Sequence, residues 1–453
     1  MDQRSSARSL RTTIQSADLQ LKRSLRLFDG LAMVVGIMVG SGIFRTPGEV
    51  AGKLGRPGLT FVAWVLGGAL ALVGALVFAE LATRHPKAGG KYVYAREAFG
   101  RHAGFVVGWV EGLAIYTAAI AAIGVAAAEF SARIAGWPAE WTRWIALLIV
   151  GLFTGVNLLG INSGRWVQNV VTAAKVLALG GVVIVAFIAG NGTGWHGVLP
   201  NAPQGWHIFA ALAVAAQPVI WSYYGSVDAA KIAEEVVEPE RTLPRIFILG
   251  IAVVTALYLL LNAAFLHVLP FERVAASNLV AGDVATAIFG AKGGVIIAVL
   301  ALLVVLASLN GNVFVTPRVI FGLSRDGLGP KVLTRVNRGG TPWTAMVLVG
   351  VISMTLAATG TFAQLLALAI VLILVVDGLT VASLFTLRAR EPYAPFRVPL
   401  YPVLPALFIA VYAALFVGAV IAQRTVVLLG VAVLLVTWGL SWLGPIPAAR
   451  LSA

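Results

Sequence analysis

The chain has 453 residues, 59% of them hydrophobic and only 11% charged, with a mean hydropathy of +0.91. A soluble domain carries about 25% charge, so this composition excludes a water-soluble globular body and places most of the chain in lipid. The formal net charge is +14, but the basic residues gather in connections on one side of the apolar runs, the positive-inside bias of a membrane protein, which argues against a nucleic-acid partner. There is no cysteine, which excludes disulfides, thiolate metal sites and a thiol nucleophile. The five histidines form no HExxH and no pair at metal-ligand spacing, and no GxxxxGK[ST] loop occurs. No metal, no cofactor and no built-in ATPase are therefore expected.

Residues 1–27 are basic and polar and read as a cytoplasmic tail. They contain no apolar stretch ending at a small-residue cleavage site, so a removed signal peptide is not expected. From 28 to 444 twelve apolar runs of about 20 residues follow, each long enough to cross a bilayer. Their centres lie near residues 39, 70, 116, 152, 178, 218, 256, 303, 350, 374, 410 and 434. The segments Arg84 to Arg101, Lys231 to Arg245, Arg318 to Arg338 and Arg388 to Arg397 are basic and share one side if the N-terminus is cytoplasmic. That positive-inside bias puts both ends in the cytoplasm, including the tail 445–453. On the other side, 190–206 is Gly-rich and 268–292 is expected to carry a short helix.

Two of the twelve runs are interrupted. The first reads Gly36-Ile37-Met38-Val39-Gly40-Ser41-Gly42-Ile43-Phe44, and the sixth reads Trp221-Ser222-Tyr223-Tyr224-Gly225-Ser226. Glycine costs a helix about 1 kcal/mol relative to alanine. In lipid, freed backbone groups are tolerated only where they face protein, water or a ligand. The two breaks lie about 184 residues apart, and the third and eighth spans are separated by about 187. This offset fits two five-helix halves of opposite orientation, a first repeat at about 28–189 and a second at about 206–387, with helices 11 and 12 at about 398–444. Interrupted segments at matching positions of two halves point to a transporter binding site.

Four stretches carry a family resemblance. They are the break at Gly36–Phe44, Glu80-Leu81-Ala82-Thr83-Arg84-His85-Pro86-Lys87-Ala88-Gly89-Gly90, Glu234-Glu235-Val236-Val237-Glu238-Pro239-Glu240-Arg241-Thr242-Leu243-Pro244, and Ser324-Arg325-Asp326-Gly327. In this order among twelve spans, the chain resembles the amino acid–polyamine–organocation superfamily, near the prokaryotic L-type amino acid transporters, over nearly its whole length after residue 25. The resemblance implies an all-α integral membrane protein with the 5+5 inverted repeat of the leucine-transporter fold and broken helices 1 and 6. It also implies a secondary transporter in a prokaryotic inner membrane, moving an amino acid by alternating access. Eukaryotic L-type members are tied to a glycoprotein subunit through cysteine, and without cysteine that covalent partner is impossible. Beyond the substrate and the bilayer no partner is expected.

An amino acid zwitterion needs donors for its carboxylate. An unwound Gly40-Ser41-Gly42 followed by a half-helix N-terminus supplies N–H groups and positive dipole potential. Gly36 and Gly40 also form a GxxxG pair that packing alone would explain, although packing leaves Ser41-Gly42 unaccounted for. The ammonium needs acceptors, which the family pattern places on the carbonyls of Met38, Trp221 and Tyr224, beside Gly225. By resemblance Trp221 closes over the substrate from outside. Tyr224 stands where many L-type members carry glycine, which narrows the pocket toward small neutral amino acids, while Ser226 stands where a large aromatic is common and returns some volume.

Lys175 lies about 12 Å of helical rise into the fifth span, where an ammonium is a functional candidate because its insertion is costly. The resemblance puts it where sodium-coupled relatives bind a cation, bridging the first helix to Ser308 and Asn312, which share a face of the eighth span at i, i+4. Sodium-independent exchange or facilitated transport is the expectation. Burial also lowers a lysine's proton affinity, which leaves proton coupling open. Glu111 and Asp377 are intramembrane acids. In the pocket they would suit a cationic amino acid or polyamine and a proton-coupled symporter or antiporter; otherwise they pair within the bundle. Glu234, Glu235 and Glu238-Pro239 read as helix termination and ion pairing at the inner side. An enzyme is not expected, because no catalytic constellation is present.

Overall fold

In the computed structural model, residues 21, 23–40, 42–277, 279–359 and 362–443 are described, and among them every extended element is helical apart from one isolated bridge between Leu25 and Val236. Nine helices among the described residues are long and apolar enough to cross a membrane. The chain is a multi-pass membrane protein.

The first apolar run is two helices, α1 (Leu27–Met38) and α2 (Gly42–Leu54). Asp29 starts α1 by accepting the Arg26 N–H at 2.9 Å. It ends where Val39 turns to extended backbone (φ −76°, ψ 90°). Next come α3 (Pro57–Arg84), the short α4 (Lys91–Phe99), α5 (Arg101–Ala135), α6 (Thr142–Leu158) and α7 (Ile161–Ala189). Pro57 opens α3 at its first turn, where a missing N–H costs nothing. Gly136 closes α5 in the left-handed region (φ 69°). Within α5, residues Val110–Ile115 widen into one π-helical turn.

The sixth run also breaks. Its first part is α8 (His207–Ser222), and after the turn at Tyr223–Val227 the chain continues as a 3₁₀ helix, Asp228–Glu235. Then follow α9 (Pro239–Val268), α10 (Phe271–Ala276), α11 (Val280–Phe289), α12 (Gly293–Arg325), α13 (Trp343–Thr359), α14 (Phe362–Arg390), α15 (Val403–Ala422) and α16 (Arg424–Leu443). The segment expected to carry one short helix, 268–292, holds two.

Burial sorts these helices. The apolar stretch of α5 is 78% buried and that of α16 only 17%, so α5 is central and α16 peripheral. Large apolar side chains of α7 and α16, among them Leu177, Ile188, Leu435 and Trp442, stand exposed. On a chain this apolar those faces meet lipid. Near the axis α1 packs on α7, α9 and α12, while α5 packs on α12 and α14.

Candidate functional site

Both breaks face one cavity. Its lining includes Met38, Gly40 and Gly42 from the first break, Trp221 and Tyr224 from the second, and Ser308 and Asn312 from α12. Seven of the residues singled out from sequence thus meet at one place. Ser41 lies outside the described residues.

Close packing explains the glycines. A Cβ on Gly36 would stand 1.8 Å from Gln168 Nε2 and 2.6 Å from Thr172 Oγ1, so Gly36 serves the contact of α1 with α7. On Gly40 the Cβ would meet Ser308 Oγ at 3.3 Å, and on Gly42 it would meet Ser222 Oγ at 3.0 Å. Gly225 adopts φ 97°, a left-handed conformation that only glycine enters freely, and its missing Cβ would fall 2.4 Å from Ile37 Cγ2. The two breaks are therefore in direct contact.

The carbonyls freed at the end of α1 are satisfied by three helices. Lys175 Nζ, fully buried on α7, donates to Gly36 O at 2.8 Å and to Val39 O at 2.6 Å. Ser308 Oγ on α12 lies 2.9, 3.2 and 3.0 Å from the carbonyl oxygens of Gly36, Ile37 and Val39. Asn312 donates one turn back, to Ser308 O at 2.8 Å. The Tyr258 hydroxyl on α9 lies 2.9 Å from Met38 O and 2.8 Å from Ser222 O, so its single proton serves the ends of both α1 and α8. Trp221 O accepts the Tyr224 N–H at 3.0 Å.

The aromatic wall is a stack. The rings of Trp221 and Tyr224 are nearly parallel, 5.9 Å between centroids, with Tyr116 on the other side of Tyr224 at 6.1 Å. Ser226 and Gly225 line a neighbouring cavity that reaches Asp377 and Tyr412. The volume Ser226 returns is thus added there and not between the breaks.

Glu111 and Asp377 do not line the cavity between the breaks. Both are buried in a charge cluster with Lys91, Asp228 and Lys231. Lys91 Nζ is 2.5 Å from Asp377 Oδ1 and 3.5 Å from Glu111 Oε1, and Lys231 Nζ is 2.6 Å from Asp228 Oδ1 and 3.6 Å from Glu111 Oε1. Lys91 also reaches the Tyr224 hydroxyl at 3.4 Å. This corrects the sequence reading of Lys91 and Lys231 as members of basic surface connections: each is 1% exposed. The signal that could have revealed Lys231 is its spacing of three from Asp228 among alanines, which makes an internal pair on a tight helix. Tyr258 left no signal, because a tyrosine within an apolar run reads as packing.

At the end of the bundle that holds this cluster, charges are paired as expected. Glu234 takes Arg325 through both oxygens, at 2.6 and 2.7 Å, and Glu235 takes the fully buried Arg318 at 2.7 Å. The Glu235 carbonyl also accepts the N–H groups of Ser24 and Leu25 at 2.9 Å, docking the segment before α1 onto the 3₁₀ helix.

Comparison with known proteins places this architecture. The sequence model of the family described as amino acid permease matches residues 25–443. The chain is 30% identical over 412 residues to the serine/threonine exchanger SteT of Bacillus subtilis, covering 88% of this chain and 91% of that protein. It is 30% identical over 400 residues to the human cystine/glutamate transporter, covering 86% and 79%. Identity to the human large neutral amino acids transporter small subunit 2 is 27% over 423 residues, covering 92% and 79%. These relatives are transporters and exchangers, not enzymes, and the chain belongs to the amino acid permease family of the amino acid–polyamine–organocation superfamily.

Proposed function

We propose that this protein is a secondary transporter of small neutral L-amino acids, working by sodium-independent exchange or facilitated transport. The observation that carries the reading is the single cavity onto which both helix breaks open. For a zwitterion seated there, the sequence assigns the N–H groups of Gly40, Ser41 and Gly42 to its carboxylate and the carbonyls of Met38, Trp221 and Tyr224 to its ammonium. Trp221 covers it from the outer side. Tyr224 limits the side chain to something of alanine, serine or threonine size, in keeping with the name of the serine/threonine exchanger at 30% identity. Lys175 places its amine against the Gly36 and Val39 carbonyls, where a bound cation would otherwise sit, which removes the need for sodium.

In this reading the spans number twelve. The nine long helices are joined by α13 and by the two broken runs α1–α2 and α8 with its 3₁₀ continuation. The first ten form the 5+5 inverted repeat of the leucine-transporter fold. The positive-inside bias sets both termini in the cytoplasm and the protein in the cell membrane.

The test is uptake of labelled L-alanine and L-serine by proteoliposomes, preloaded with the unlabelled amino acid or empty, without sodium or a pH gradient. Faster uptake into loaded vesicles is expected; an absolute sodium requirement would overturn the assignment of Lys175. A second reading, proton-coupled transport or antiport of cationic amino acids or polyamines, draws on one contact. Lys91 ties the cavity-lining Tyr224 to the buried carboxylates Glu111 and Asp377. A requirement for a proton gradient, with arginine outcompeting alanine, would favour it.

A further inference from the structure

We propose that the buried cluster of Lys91, Glu111, Asp228, Lys231 and Asp377 is a proton-binding site, with the proton carried by Glu111. Three carboxylates face two ammoniums, leaving one formal negative charge in a place where each of these side chains is at most 5% exposed. An unbalanced buried charge is so costly that such groups neutralise instead, and one proton on one carboxyl balances the set.

Geometry selects which carboxyl. Asp377 and Asp228 each hold an ammonium in direct contact, Lys91 at 2.5 Å and Lys231 at 2.6 Å, and Asp228 also accepts the Tyr116 hydroxyl. Glu111 has neither. Its Oε1 is 3.5 Å and 3.6 Å from the two ammoniums, well outside the 2.5 and 2.6 Å contacts of the aspartates, and among the described residues neither of its oxygens has a hydrogen-bond partner. It also sits in the π-helical turn Val110–Ile115, a local widening that recurs at functional sites.

The groups around Glu111 come from every neighbouring element. The short α4 brings Lys91 and Tyr94, and α5 itself brings Tyr116. From the segment after the second break come Tyr224, Asp228 and Lys231; α14 brings Asp377, and Tyr412 of α15 stands behind it. Against this turn α12 packs Ile320 and Val319, while its Arg318 is engaged by Glu235. In sequence α13 has no titratable residue, and α16 has only Arg424, which opens it. Among the described residues no third cation therefore competes with the proton.

The site can act on the cycle because Asp228 and Lys231 directly follow Gly225, whereas Glu111 and Asp377 belong to α5 and α14. Protonating Glu111 removes its attraction for Lys91 and Lys231 and frees the segment below the break. Deprotonation restores the attraction and holds the segment against α5. This last link rests on the transport reading; the proton site itself does not.

Infrared difference spectroscopy on the purified full chain, stepped through pH, reads the proton directly. A protonated-carboxyl C=O band that titrates in the wild type and is lost in Glu111→Gln is the expected result, with Glu49→Gln as an exposed control that leaves the band in place. No such band in the wild type, or a band that persists in Glu111→Gln, overturns the proposal. Should Glu111→Gln fail to fold, Lys91→Met raises the formal charge deficit to two and is expected to roughly double the band; an unchanged band also overturns it. In proteoliposomes, wild-type exchange is expected to change about tenfold across the same titration, and Glu111→Gln exchange to stay flat. A flat wild-type profile would sever the link to transport. A titrating band in a protein that exchanges no amino acid would retain the proton site and sink the transport reading instead.

Discussion

Lys175 Nζ donates to Val39 O at 2.6 Å, so an amine rooted on α7 occupies the carbonyl end of the first half-helix. Its second bond, to Gly36 O at 2.8 Å, closes on the same turn. Truncation to Lys175→Ala strips a donor from two buried carbonyls, each worth about 1–3 kcal/mol when left unsatisfied. Ser308 can cover one of them, so the expected loss is about 2 kcal/mol, seen as a lower Tm in detergent. Exchange is expected to fall at least tenfold, because the first break loses the side chain that holds its carbonyl end. Wild-type exchange is expected to be equal in sodium and choline buffers. Equal activity of Lys175→Ala and wild type would remove Lys175 from the site.

Gly225 and Ile37 make a separable test of how the two breaks fit. Gly225→Ala faces two obstacles, a left-handed φ of 97° and an Ile37 methyl only 2.4 Å from the new Cβ. Exchange by Gly225→Ala is expected to be almost abolished. Adding Ile37→Ala relieves the clash but not the backbone strain of about 1–2 kcal/mol, so the double variant is expected to recover only part of the rate. Full recovery would mean that the conformation of Gly225 is immaterial.

Much of this site was legible because it is made of glycine and polar residues where leucine and valine belong. Gly40, Gly42, Trp221, Tyr224, Ser308 and Asn312 stood out against apolar runs, and all line the cavity. Lys175 stood out for the same reason. What stayed hidden is tertiary. Tyr258 is unremarkable within α9 until its hydroxyl is seen between the Met38 and Ser222 carbonyls. Lys91 lies among other basic residues of its connection, and nothing local distinguishes a lysine in water from one folded back onto Asp377, whereas Lys231 left only the faint signal of its spacing from Asp228. The 3₁₀ form of Asp228–Glu235 was also not readable, since the run Ala229–Ala233 suits an α-helix equally well.

Tyr258→Phe isolates one proton. The ring, packed edge-on to Trp64 at 5.3 Å and to Tyr223 at 5.2 Å, is retained, while the hydroxyl shared by both half-helices is lost. A stability loss of about 1–2 kcal/mol is expected. Affinity for alanine, read by competition at equilibrium, is expected to fall several-fold, because Met38 O is no longer held in place. An unchanged affinity would show that Tyr258 only supports the fold.

The proposed preference for small substrates rests on the stack of Trp221 on Tyr224. Tyr224→Ala removes the inner ring and is expected to shift competition from alanine and serine toward leucine. Because the Tyr224 hydroxyl also reaches Lys91 at 3.4 Å, Tyr224→Phe is the control. It keeps the ring and is expected to keep the preference for small side chains. Leucine selectivity in Tyr224→Phe would assign the effect to the hydroxyl rather than to volume.

Arg318 and Glu235 form a fully buried pair whose role is separable from its contribution to stability. Both side chains are fully buried, and the guanidinium donates to both Glu235 oxygens, at 2.7 and 3.3 Å, and to Phe314 O at 2.5 Å. Removing one partner of a buried pair leaves the other charge uncompensated, at a cost of about 3–5 kcal/mol. Arg318→Leu is therefore expected to lower Tm sharply and to yield little protein. The double variant Arg318→Leu with Glu235→Leu is expected to regain most of that stability, because apolar replacement of a whole buried pair is often neutral. Its exchange behaviour then separates stability from function. The pair joins α12 to the 3₁₀ helix just beyond the second break, beside the Glu234–Arg325 pair and the Ser24 and Leu25 N–H groups on the Glu235 carbonyl, so its loss removes one of several contacts that hold the segment there. A stable double variant with leak in the absence of internal substrate would identify the pair as a closure contact. Tight coupling in that variant would make it purely structural.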